Sequence, residues 1–65
     1  MQQPSPIMRF FEYAHLPAPL NEISCEVYKL AQEMEMNLTD GPEKSAGLRK
    51  LLEAKDCFVR AAIKE

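Results

Sequence analysis

The stretch Gly41-Pro42-Glu43-Lys44-Ser45-Ala46-Gly47-Leu48-Arg49-Lys50-Leu51-Leu52-Glu53-Ala54-Lys55-Asp56-Cys57-Phe58-Val59-Arg60-Ala61-Ala62-Ile63-Lys64 decides the fold. Its spacing predicts one long helix. Asp40 or Gly41 can cap it, Pro42 suits a first turn, and Glu43 follows Asp40 at capping-box distance. Leu48, Leu51, Leu52, Val59, Ala62 and Ile63 recur at helical spacing. Ala54, Phe58 and Ala61 widen that stripe into a broad apolar arc. Such an arc is buried on more than one side. One partner helix does not cover it, so an oligomer is expected.

Upstream, Leu20, Ile23, Val27, Leu30, Met34 and Leu38 step by threes and fours, a narrow seam for one partner helix. That helix begins between Pro19 and Asn21. Thr39-Asp40-Gly41-Pro42 ends it and turns the chain so abruptly that the two helices must be antiparallel neighbours. With the turn near Asp40, Leu30 should meet Leu51 or Leu52, and Val27 should lie near Leu52–Lys55. Cys25 and Cys57 fall at one level, facing solvent or a neighbouring chain. The expected class is all-α: an antiparallel helical hairpin with an extended aromatic N-terminal arm, assembled into an oligomeric bundle.

Residues 1–6 are polar and broken by two prolines. Ile7–Tyr13 is too apolar for a free tail and must dock. A flexible tail over 1–8 and a hairpin domain over 9–65 follow. Phe10 and Phe11 point opposite ways in an extended arm. Tyr13, with its polar tip, should be half-exposed.

The chain has 65 residues and a net charge of −2. It is one domain, of a size that usually needs help from a staple or from assembly. The charge argues against binding of DNA or RNA polymers. Neither a signal peptide nor an apolar run of membrane-spanning length is present in the sequence, which predicts a soluble, cytoplasmic protein. Two cysteines and one histidine leave no zinc set. No cofactor is expected, and the thiols should stay reduced. Ser45, Cys25 and Cys57 have only His15 as a conceivable base, so no enzyme is expected.

Two binding features remain. The start of the second helix offers unpaired N–H groups and a positive dipole end, with Lys44, Ser45 and Arg49 beside it. These could hold a phosphate, although short basic helical faces are commonly plain surface. The arm's Phe10, Phe11 and Tyr13 could stack on a nucleobase or simply cover a helix. Lys55 lies on the apolar side of its helix, either snorkelling or paired with an acid.

The run Glu43–Ala54, followed by Arg60-Ala61-Ala62-Ile63, resembles the second helix of the phage anti-CBASS and anti-Thoeris cyclic-nucleotide sponges. The arm Phe11-Glu12-Tyr13-Ala14-His15-Leu16-Pro17 is similar to that family's Phe-x-Tyr-His-x-Pro arm, with one extra residue before His15. The resemblance covers residues 9–64. It implies homo-oligomers, often hexamers, in the host bacterial cytoplasm. These bind cyclic di- or trinucleotides or cyclic ADP-ribose variants between protomers, do not cleave them, and so block CBASS or Thoeris immune signalling. By the same resemblance Tyr13 stacks on a base and Lys29 meets a phosphate; the reading of the residues adds Lys44, Ser45 and Arg49 facing phosphates and Phe11 among the stacking candidates. The chain departs from the family at Pro42, where an arginine is usual, and at Ser24 and Glu26, where basic residues are usual. The rival expectation is a small helical protein–protein adaptor with an exposed apolar groove and no nucleotide affinity.

Overall fold

The computed structural model describes residues 5–64, apart from the side chain of Lys64. Among these residues the chain is helical throughout its regular structure: a 3-10 helix at Pro6–Phe11, then α1 (Leu20–Asn37) and α2 (Pro42–Lys64). Pro6 opens the 3-10 helix, and the Met8 N–H donates to the Ser5 carbonyl at 2.9 Å. α1 starts without a side-chain cap. Pro19 precedes it, and Glu22 in the first turn complements the dipole. α2 starts with Pro42 in the place where a missing N–H costs nothing.

The helices pack on each other, and the 3-10 helix touches both. The core is Phe11, Val27, Ala31 and Leu48, with Ile7, Met8, Tyr28, Met34, Leu51 and Leu52 packed around it. Val27 with Leu52, and Ala31 with Leu48, are the partners a turn near Asp40 brings to one height. Leu30 and Leu51 line one groove, as the register requires.

Three expectations change. The arm is not extended over its first half: Pro6–Phe11 winds into a 3-10 helix. Phe11 still turns inward and Phe10 outward, the opposite pointing expected of the two rings. Second, the tail expected over 1–8 is too long. Ser5 hydrogen-bonds Glu35, and Ile7 and Met8 join the core; residues 1–4 lie outside the described residues.

Third, the buried face of α1 is Ser24, Val27 and Ala31. Leu30 and Leu38 keep 47% and 49% of their surface exposed. The seam has rotated because α1 serves two neighbours. Small side chains at Ser24 and Ala31 leave room for close packing beside Phe11, while Leu30, Met34 and Leu38 form a second stripe along the groove.

The broad arc of α2 is only partly used. Leu48 is buried, Leu51, Leu52 and Val59 are half-buried, and Phe58 and Ile63 are exposed.

Candidate functional site

The turn between α1 and α2 is built around one ammonium group. Lys44 Nζ lies 2.9 Å from the Glu35 carbonyl, 3.1 Å from the Leu38 carbonyl and 2.8 Å from Asp40 Oδ1. Glu35 Oε1 is 3.1 Å away. An ammonium has three protons, so these oxygens already saturate it. The Lys44 side chain is 6% exposed. α1 carries no basic residue in its own last turn, and Lys44 supplies that charge from the next helix. Hydrogen bonding to Asp40 raises the Lys44 pKa; burial opposes this and Glu35 reinforces it.

Glu35 is in turn the anchor of the arm. The Ser5 N–H and hydroxyl both donate to its carboxylate. The Ser5 N–H holds the Glu35 pKa below the ordinary glutamate range, against burial and with help from the Ser5 hydroxyl and Lys44. Lys44 is thus occupied within the chain. Ser45 is exposed and gives its N–H to the Gly41 carbonyl at 3.0 Å. Arg49 is exposed and has no carboxylate partner among the described residues.

Tyr13 is half-buried, as its type suggested. Its ring centroid lies 5.4 Å from that of Tyr28, tilted by 55°. The two rings, with Glu12, Ala14 and His15, line an open recess of about 330 Å³. Interaction with the neighbouring Cys25 thiol raises the Tyr13 pKa. Cys25 is half-buried, whereas Cys57 is exposed; both are free thiols. Phe11 does not join Tyr13. It is fully buried in the core, where no face is left for a base. Lys29 is solvent-exposed, 3.6 Å from Glu26. Ser24 is fully buried, so a basic side chain at this position would enter the core.

A second recess, of about 420 Å³, opens between the arm and α2 and shares Glu12 and His15 with the first. Arg9, Phe10, Lys55, Asp56 and Arg60 line it. Lys55 Nζ donates to the Phe10 carbonyl at 2.8 Å and so fastens the arm to α2. This recess was missed from sequence because its walls are 45 residues apart. The spacing of Lys55 and Arg60 does not by itself single it out. An apolar groove of about 250 Å³, lined by Leu30, Met34, Leu38, Gly47, Leu48 and Leu51, runs along the two helices with Lys44 at its edge.

Among the described residues no three His, Cys, Asp or Glu side chains come together as metal ligands, and no helix is long and apolar enough to cross a membrane. Set against known proteins, the chain matches no family model, no curated protein and no solved structure.

Proposed function

We propose that this chain is a binding protein that sequesters cyclic oligonucleotide second messengers without cleaving them, and so silences the bacterial defence those signals trigger. The carrying observation is the half-exposed Tyr13 ring, paired with Tyr28 at the lip of an open recess. A ring held by a neighbour at 5.4 Å is pre-organised for stacking, which is worth about 1–3 kcal/mol per base. The arm motif around Tyr13 and the Glu43–Ala54 run support the same reading through the sponge resemblance.

The ligand is a cyclic di- or trinucleotide or a cyclic ADP-ribose variant. Protomers assemble through the apolar surface one chain leaves open, Leu30, Leu38, Phe58 and Ile63 included. The host bacterial cytoplasm is where such a sponge acts. Within this reading Lys44 builds the turn, Phe11 builds the core, and Lys29, Ser45 and Arg49 remain available to a ligand or a neighbouring protomer.

The same groove favours a second reading, a helical adaptor that docks a protein helix between Leu30, Leu38 and Leu51. Calorimetric titration with cyclic di- and trinucleotides and cyclic ADP-ribose isomers separates the two. Micromolar or tighter binding of one of them, with the ligand recovered intact, supports the sponge; no heat from any of them rejects it.

A further inference from the structure

We propose that the recess between the arm and α2 is a phosphate-binding site, with Arg9 and Arg60 as its two ligating residues. This deepens the proposed function and rests on it for the nucleotide, though not for the anion.

The charge is unusually arranged for a chain of net charge −2. Arg9, Lys55 and Arg60 line this recess against Glu12 and Asp56. The three cations are not equivalent. Lys55 is committed to the Phe10 carbonyl and lies 3.7 Å from Asp56. Arg9 and Arg60 have no carboxylate within 4.0 Å among the described residues. Among the described residues Arg60 makes one side-chain hydrogen bond, from Nη2 to the weak acceptor Cys57 Sγ at 3.4 Å. Arg9 lies 5.0 Å from the centroid of the Phe10 ring.

Two guanidinium forks brought from separate elements into one recess suit a phosphate, which accepts paired hydrogen bonds from planar donors. Fixation matters as much as charge. The 3-10 helix that carries Arg9 is tied to α2 by Lys55 and to the core by Phe11, so the recess exists before any ligand arrives. Its volume, about 420 Å³, falls in the range of small-molecule sites. Phe10 is 52% exposed in the same recess and offers a flat apolar face beside the anion.

The neighbouring Tyr13 recess shares the Glu12 and His15 walls. A ligand with a base in one and a phosphate in the other uses both. A nucleotide phosphodiester and a free phosphate are both anions of the required kind.

The chain has three arginines, Arg9, Arg49 and Arg60. Their side-chain Nε–H groups give three resolvable signals in nitrogen-15 correlation spectra. Titration with sodium pyrophosphate should move Arg9 and Arg60 together and leave Arg49 in place, and cyclic di-AMP and 3′,3′-cyclic GMP-AMP, titrated separately, should move Arg9 and Arg60 together. Arg9→Ala and Arg60→Ala should each weaken pyrophosphate binding about tenfold, the loss expected for one hydrogen bond to a charged group. Asp56→Asn, which removes an acid from the recess wall, should tighten it.

Equal movement of all three arginines with pyrophosphate, or movement of Arg49 alone, overturns the site. A cyclic nucleotide that binds while Arg9 and Arg60 stay still overturns the site and leaves the sponge reading standing. Pyrophosphate that moves Arg9 and Arg60, with neither cyclic nucleotide binding more tightly than pyrophosphate, upholds the site and defeats the sponge reading for these ligands.

Discussion

Exchanging each of two adjacent phenylalanines in turn tests the arm's docking. Phe11 is 0% exposed and Phe10 is 52% exposed. A buried aromatic ring removes about 200 Å² from water, which at about 25 cal/mol per Å² is about 5 kcal/mol as an upper bound. Core Phe→Ala substitutions cost about 3–5 kcal/mol. Phe10→Ala loses at most about half of the area term and leaves no enclosed cavity, so about 1–2 kcal/mol is expected. A chain of this length draws about 3–5 kcal/mol from its core. Phe11→Ala should therefore abolish cooperative unfolding, and Phe11→Leu, at about 1–2 kcal/mol, keeps the transition measurable. Urea titration followed by circular dichroism at 222 nm, at one fixed protein concentration, reads all three variants. Phe11→Ala less damaging than Phe10→Ala would show that the wrong ring has been assigned to the core.

Other outcomes follow from the same geometry. The Glu35 pKa is lowered on folding, so its stabilisation is complete above the unfolded value, about 4.3, and is lost as pH falls through the lower folded value. Glu35→Gln should flatten the acid limb of a melting-temperature profile below that pH and lower the neutral plateau; an unchanged acid limb would refute the anchor. Lys44→Met should lower the melting temperature because it strips the Glu35 and Leu38 carbonyls of their donor, and a melting temperature equal to the parent's would contradict the capping role. Tyr13→Ala should weaken cyclic-nucleotide binding at least tenfold, about 1.4 kcal/mol, whereas Tyr13→Phe should retain stacking; calorimetry distinguishes them. A Cβ on Gly47 meets nothing within 4 Å of the chain, so Gly47→Ala should stabilise a dilute monomer by about 0.4–1 kcal/mol, and destabilisation there would mean the groove is already occupied.

Both long helices were legible because their signals are local. Pro19 and Pro42 mark the starts, Thr39–Gly41 marks the turn, and the periodicities between them are unbroken. Register followed from the turn alone, which is why Leu30 and Leu51 could be brought to one height. What misled was size. Leu30 and Leu38 outweighed Ser24 and Ala31 in the seam, because a pattern of large apolar residues does not record that a third element needs room. The partners of Lys44 are hidden for a related reason: a lysine at a helix start looks like an anion ligand until the carbonyls of the preceding helix are in place around it. Tyr13 was legible from its polar tip. Arg9, Lys55 and Arg60 were not grouped, because only the docked arm brings them together.

The lengths of chain closed by each polar contact set an order of assembly. Lys44 reaches Leu38 and Glu35 across 6 and 9 residues, whereas Ser5–Glu35 spans 30 and Lys55–Phe10 spans 45. Closing a long loop costs more entropy than closing a short one, and local contacts form first. The helix pair therefore zips outward from the turn, and the arm arrives last. Reversed, the same ordering puts the contacts of the turn among the last to be lost on unfolding. Because Phe11 belongs to the core, amides of the 3-10 helix should share the slow exchange of those around Ala31 and Leu48. Tyr13 and Arg9 both belong to the arm, so the two recesses take shape only once the arm has docked.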